Sequence, residues 1–283
     1  MKNKFKLNSS TLLVFILTTG VFGIINTEMG VIGILPLIAE NFQVTVPEAG
    51  WTVSIFALVV AISAPITPLL FSGINRKKVM ILAVGLFTLS NVISMMTTNF
   101  TVLLISRALP AFLHPVYVSM AFTVAAASVS KEKAPKAVAK VFIGVSAGMV
   151  LGVPVTSYIA SEVSYSMGML FFTVVNALVL VATILFVPSM PVKEKLSYGT
   201  QLSVLKKKVV WYSILAITLI NGALFGFFSY MSDYLKTITG VSYTVISTML
   251  LIYGLANIIG NVIAGKQLAV NPVRSMIMIP LAL

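Results

Sequence analysis

The chain has 283 residues, 58% of them hydrophobic and only 9% charged, with a formal net charge of +12 and a mean hydropathy of +1.04. A water-soluble domain carries roughly 25% charged residues, so this chain belongs in lipid; with no cysteine and a single histidine, His114, it offers neither a disulfide framework nor a thiolate or His-based metal cluster. The positive charge falls in short gaps between apolar runs and does not interleave with stacking aromatics, which excludes a nucleic-acid face and fits membrane topology.

Lys2, Lys4 and Lys6 precede an apolar run at residues 11–38. It is too long for a signal-peptide core of about 7–15 residues, so it reads as a retained first membrane helix. A spanning helix needs about 20 mostly apolar residues. Further runs at 49–71, 79–98, 102–127, 138–160, 167–188, 209–235 and 244–265 qualify. A ninth begins near Val273 and reaches Leu283; about ten residues rise only about 15 Å, half a hydrocarbon core, so the sequence predicts a chain truncated within a helix.

The gaps alternate in charge. Arg76, Lys77 and Lys78 follow the second run, Lys131, Lys133, Lys136 and Lys140 the fourth, Lys193, Lys195 and Lys206 to Lys208 the sixth, and Lys266 and Arg274 the eighth. The other gaps hold Glu40, Glu48, Glu162 and Lys236 and little else. Basic loops stay on the cytoplasmic side, so the N-terminus is predicted there, with the protein multi-pass in the cell's inner or plasma membrane. The longest polar gap, 189–208, divides the chain into a six-helix bundle (1–190), a cytoplasmic linker (191–208) and a partial second bundle (209–283) holding helices seven, eight and the start of nine.

Glu28 is the only charge in its run and Arg107 is buried in the fourth. Ionisable groups in hydrocarbon usually face a bundle interior or a water path and mark ion or proton routes. With the first helix running outward and the fourth inward, Glu28 lies about 15 Å and Arg107 about 10 Å below the same surface, so an ion pair, direct or through water, is allowed. A carboxyl balanced between burial and a guanidinium can exchange a proton as water access changes; the plainer alternative is a static pair locking two helices. His114, beside Pro115, is a candidate proton relay, although a lone membrane histidine is more often a packing residue. Gly144, Gly148, Gly152 and Pro154 form G-x-x-x-G-x-x-x-G-x-P, a smooth stripe that lets another helix approach closely, with a proline that removes a hydrogen bond and invites a kink. Asn221, Phe225 and Tyr230 of the seventh run are candidates for a substrate cavity. No phosphate-binding loop, nucleophile elbow or His-Glu-x-x-His pair occurs, so neither ATP drive nor an enzyme is predicted, and no catalytic residue, metal or cofactor is assigned.

The stretch from Glu28-Met29-Gly30 through Gly33-Ile34-Leu35-Pro36-Leu37-Ile38-Ala39, then Ala49-Gly50-Trp51, Ala57-Leu58, Ala64-Pro65, Leu103 to Leu109 around Arg107, and Gly144 to Pro154, resembles in order the motifs of the major facilitator superfamily, specifically its twelve-helix drug:proton antiporters. The loop after the second run departs from that family's usual G-x-x-x-D-R-x-G-R-R: here it reads Ser72-Gly73-Ile74-Asn75-Arg76-Lys77-Lys78, with no aspartate. The resemblance implies an all-α polytopic bundle and efflux of a drug, sugar or nucleoside-like small molecule against inward proton flow. Glu28 and Arg107 would couple the proton, and the Gly144–Pro154 segment would let the two halves rock. A monomer is favoured, since glycine stripes serve internal packing equally well. The other reading is a non-transporting membrane protein, such as a sensor, an assembly partner or an inactive truncation product.

Overall fold

The computed structural model describes residues 9–192, 206–270 and 274, and every element among them is helical. The linker expected at 191–208 and the ninth run from Val273 lie almost wholly outside the described residues. In chain order the elements are α1 (Ser9–Gly30), a 3-10 turn (Val31–Ile34), α2 (Leu35–Phe42), α3 (Val46–Ala49), α4 (Trp51–Ser63), α5 (Thr67–Leu70), α6 (Arg76–Met96), α7 (Phe100–Ala111), α8 (His114–Ala127), α9 (Ala134–Glu162), α10 (Tyr165–Phe186), α11 (Lys208–Thr237) and α12 (Tyr243–Val270). Among the described residues, seven stretches are long and apolar enough to span a membrane, from Ser10–Phe42 to Lys208–Thr237, with Tyr243–Ala256 a shorter apolar segment.

Several predicted runs are not continuous helices, and proline explains where they break. Pro lacks the backbone N–H and clashes with the carbonyl four residues back. Pro36 sits in the first turn of α2, after the 3-10 turn. Pro65 lies between α4 and α5 and Pro68 in the first turn of α5, so most of the run expected at 49–71 divides into α4 and α5. Pro110 and Pro115 flank the break between α7 and α8. By contrast α9 continues through Pro154.

Polar residues set the other ends. Thr45 and Glu48 form a reciprocal capping box at α3: the Thr45 hydroxyl accepts from the Glu48 N–H at 3.3 Å and the Glu48 carboxylate accepts from the Thr45 N–H at 2.7 Å. Asn75, where the family's loop usually has aspartate, caps α6 by accepting from the Lys77 N–H at 3.0 Å. Its amide also donates to the Ser189 hydroxyl at 2.7 Å, and the Arg76 N–H donates to the Met190 carbonyl at 3.1 Å. The loop after the second span is thereby tied to the end of α10.

The core centres on α1, which is buried among α6, α8, α9 and α10 through Leu17, Val21, Ile24, Phe87, Tyr117 and Val179. A second cluster joins α2, α7 and α10 through Leu35, Ile38, Leu103 and Phe172. A third, Ile32, Val153, Ile246 and Leu250, connects the first span and α9 to α12. α11 shows the opposite pattern: of its residues only Ser232 is buried.

Candidate functional site

The first and fourth spans both break at the same place in the bundle, and the ionisable residues sit at those breaks. Glu28 is in the last turn of α1 and His114 is the first residue of α8. The Glu28 carboxylate lies 3.1 Å from His114 Nε2, with side-chain exposures of 17% and 12% respectively. The carboxylate thus faces the N–H end of α8, where backbone dipoles attract anions. Both His114 ring nitrogens are buried without a hydrogen-bond partner among the described residues, so the Glu28–His114 approach is a close contact rather than a hydrogen bond.

Arg107 corrects the sequence reading. Its side chain does not bond the Glu28 carboxylate. Nη1 donates to the Thr27 carbonyl at 2.7 Å, Nη2 to the Glu28 carbonyl at 3.2 Å, and Nε to the Thr52 carbonyl at 3.3 Å. The last four carbonyls of an α-helix have no partner within it, and that end carries partial negative charge. Thr27 and Glu28 belong to this group in α1. The guanidinium therefore caps the broken helix and fastens it to α4. The Glu28 charge is still felt by Arg107 electrostatically, but the carboxylate's close contact is His114. The Phe56 ring lies under the guanidinium, with 4.9 Å from Cζ to its centroid, and meets His114 edge-on at 5.9 Å. The signals for this arrangement were present in the sequence: Gly30, Gly33 and Pro36 mark a helix end that leaves carbonyls to satisfy.

Behind the charged cluster lies a buried polar network. The Asn176 amide donates to the Thr27 hydroxyl at 2.9 Å and to the Phe172 carbonyl at 2.9 Å, and the Asn91 amide donates to the same Thr27 hydroxyl at 3.3 Å. Ser94 and Ser106 share a hydrogen bond of 2.7 Å, and the Tyr165 hydroxyl donates to the Ser94 carbonyl at 3.0 Å. Sequence reasoning missed this network because Asn, Ser and Thr in apolar runs do not announce their partners.

The glycine stripe packs against α1. Gly144 faces the backbone of Thr18, Gly148 faces Phe22 and Ile25, and Gly152 faces Asn26. A Cβ on Gly148 would stand 2.8 Å from Ile25 Cβ and 3.1 Å from the Phe22 carbonyl oxygen. On the next rung the small residue changes helix: Gly30 of α1 faces Thr156 of α9. α12 lies along α9 as well. Pro154 deprives the Val150 carbonyl of its helical donor, and this oxygen faces Gly254, where a Cβ would come within 3.1 Å of it. Farther along, the Ser247 hydroxyl donates to the Ser157 hydroxyl at 3.1 Å and the Thr244 hydroxyl to the Glu162 carboxylate at 2.9 Å.

Between α1, α9, α11 and α12 is a cavity of about 260 Å³. Asn221 and Phe225 line it with Met29, Ser146, Phe228 and Tyr253. Tyr230, the third cavity candidate, is not in the lining; its hydroxyl lies beside Gly50.

A broken first span, an arginine clamp, a glycine-faced fifth span and a cavity at the junction with α11 and α12 are combined in one helical bundle. The pattern of the Major Facilitator Superfamily matches residues 12–283. The chain belongs to that superfamily. This facilitator chain is 31% identical over 250 residues to the inner membrane transport protein YdhP of Escherichia coli (strain K12), covering 88% of the chain and 64% of the relative. It is 32% identical over 266 residues to YtbD of Bacillus subtilis (strain 168), described as an uncharacterized MFS-type transporter, covering 92% and 66%. It spans about two thirds of the length of these curated relatives. Among solved structures it shares its fold with a bacterial homologue of the human lysosomal transporter Spinster in an inward-facing, unoccupied conformation (TM-score 0.68, 17% identity, 88% of this chain and 60% of that one). The human organic anion transporter MFSD10 is also similar (TM-score 0.62, 16% identity, 87% and 70%). The superfamily and these relatives are transporters rather than enzymes, and this chain is a multi-pass membrane protein.

Proposed function

We propose that this chain works in proton-coupled efflux of a small molecule by alternating access, with Glu28 and His114 as the proton-exchanging pair. The observation that carries the reading is their 3.1 Å approach at two helix breaks, both partly exposed beside a buried polar network. A proton bound to the Glu28 carboxyl can pass to His114 Nε2 and leave when water reaches the other side. Arg107 does not relay it. Arg107 holds the α1 break to α4, so that a change of charge at Glu28 acts on a fixed helix end.

The basic gaps face the cytoplasm in this reading, as charge asymmetry favours, and the units 1–190 and 209–283 move relative to each other. The α9–α12 seam is the moving joint. Its contacts Ser157–Ser247 and Glu162–Thr244 lie toward the end away from the basic gaps, which supports an inward-facing arrangement of this structure. At the contact of α1 with α9, the Asn26 amide of α1 and the Thr156 hydroxyl of α9 are buried without hydrogen-bond partners among the described residues. Such groups cost about 1–3 kcal/mol each. A monomer suffices for every step.

The test is accumulation of a compound panel in an efflux-deficient bacterial host expressing the chain, with and without a proton uncoupler. Export should stop with the uncoupler. Glu28→Gln should abolish it, and His114→Gln should slow it and flatten its pH profile. Export by Glu28→Gln with an unchanged pH profile would overturn the proposal.

A further inference from the structure

The cavity and the proton pair stand on different faces of α1. Consecutive residues of an α-helix are turned by about 100°. Met29 lines the cavity, while its neighbour Glu28 reaches His114 and is not part of the lining. Among the described residues, no Asp, Glu, Lys, Arg or His is in the lining. What lines it is aromatic and adaptable: Phe142, Phe225 and the stacked Phe228–Tyr253 pair, 5.0 Å between centroids, with Met29 and Met149. Methionine adjusts to irregular apolar shapes and makes favourable contacts with rings. Ser146, Asn221 and the Tyr253 hydroxyl are the polar side-chain groups there. One Asn221 amide N–H already donates to the Ile217 carbonyl at 2.9 Å, which leaves its second N–H as a donor and its oxygen as an acceptor.

We propose that this cavity binds an uncharged aromatic molecule of one or two rings carrying one or two hydrogen-bonding groups. This deepens the transport reading and rests on it only in calling the guest a cargo. Three other classes fit poorly. An organic cation finds no carboxylate, and an organic anion finds no guanidinium or ammonium. A sugar would bury more hydroxyls than this lining can satisfy, at about 1–3 kcal/mol for each one left unpaired. The volume of about 260 Å³ lies just under the roughly 300–1,000 Å³ of drug-sized sites, which sets the ring count. The guest and the proton then communicate through movement of α1 rather than by competing for one charge.

The experiment is a fluorescence titration of the purified full chain in detergent with prodan, an uncharged naphthyl ketone whose emission shifts to the blue in apolar sites. The wild-type signal should saturate. Phe225→Ala should weaken binding about tenfold, a loss of one anchoring ring. Val145→Phe, which fills the cavity with an apolar side chain, should abolish the saturable part and decides the matter if Phe225→Ala does not fold. Glu28→Gln should bind within about threefold of wild type, because its carboxylate is not in the lining. 2-Naphthol should displace prodan; ethidium, benzoate and arabinose at the same concentration should not. Unsaturable binding by wild type, wild-type binding by Val145→Phe, displacement by ethidium, benzoate or arabinose, or a tenfold loss in Glu28→Gln would each overturn the proposal. Prodan binding that follows these variants without any export by cells would instead overturn the transport reading and leave the site standing.

Discussion

Replacing Glu28 by Gln separates two accounts of the intramembrane charges. If Arg107 owed its buried position to the Glu28 carboxylate, removing that partner would strand the cation and cost about 3–5 kcal/mol. In the structure the guanidinium instead makes three hydrogen bonds to carbonyls of Thr27, Glu28 and Thr52, and Glu28→Gln leaves all three intact. What Glu28→Gln loses is the charge of a partly exposed carboxylate in close contact with His114, about 1 kcal/mol or less for a partly solvated pair. Arg107→Met reverses the comparison. It removes the charged donor from the Thr27 and Glu28 carbonyls at the end of α1, while the Thr52 carbonyl keeps its donor within α4, and charge-assisted bonds contribute about 1.5–3 kcal/mol each. After the relief of desolvating the cation, a net loss of about 3 kcal/mol is expected. The assay is equilibrium unfolding of the purified variants in mixed micelles, with helicity as the signal. Glu28→Gln should sit within about 1 kcal/mol of wild type and Arg107→Met at least about 2 kcal/mol below it. Equal losses in the two variants would refute the helix-end clamp.

Gly152→Ala should lower stability by roughly 1–3 kcal/mol, because its Cβ would lie 2.8 Å from Asn26 Oδ1 and 3.2 Å from Asn26 Cα. Gly226→Ala on α11, where a Cβ meets nothing within 4 Å, should be neutral or stabilising by up to about 1 kcal/mol through helix propensity; the same unfolding assay checks both. Ser157→Cys with Ser247→Cys should cross-link under mild oxidant, since the two hydroxyls stand 3.1 Å apart. The cross-linked chain should stop export until a reductant is added, whereas export that continues through the cross-link would show that this seam does not open. Asn176→Leu should cost about 0.5–1.5 kcal/mol by removing one of the two amide donors to the Thr27 hydroxyl, which keeps its bonds with Asn91 and the Gly23 carbonyl, and a double-mutant cycle with Thr27→Val should recover part of that loss.

Composition and run length alone placed this chain in a membrane as a helical bundle, because lipid leaves a spanning backbone no hydrogen-bond partner outside its own helix. They also picked out Glu28, Arg107 and His114, since ionisable groups are too costly in hydrocarbon to be incidental. Four-residue glycine spacing announced a close helix contact, and the prolines announced breaks, because both act through the local backbone. Partnership was beyond that reading. Whether Arg107 meets a carboxylate or a helix end depends on where α1 breaks and how α4 and α7 lie against it, and similar depth in the membrane fits both. That the glycine stripe faces α1 while the Val150 side of α9 faces α12, and that Met29 turns toward a cavity while Glu28 turns toward His114, depends on the rotation of each helix. Rotation is set by packing against neighbours distant in sequence, so only the tertiary structure decided it.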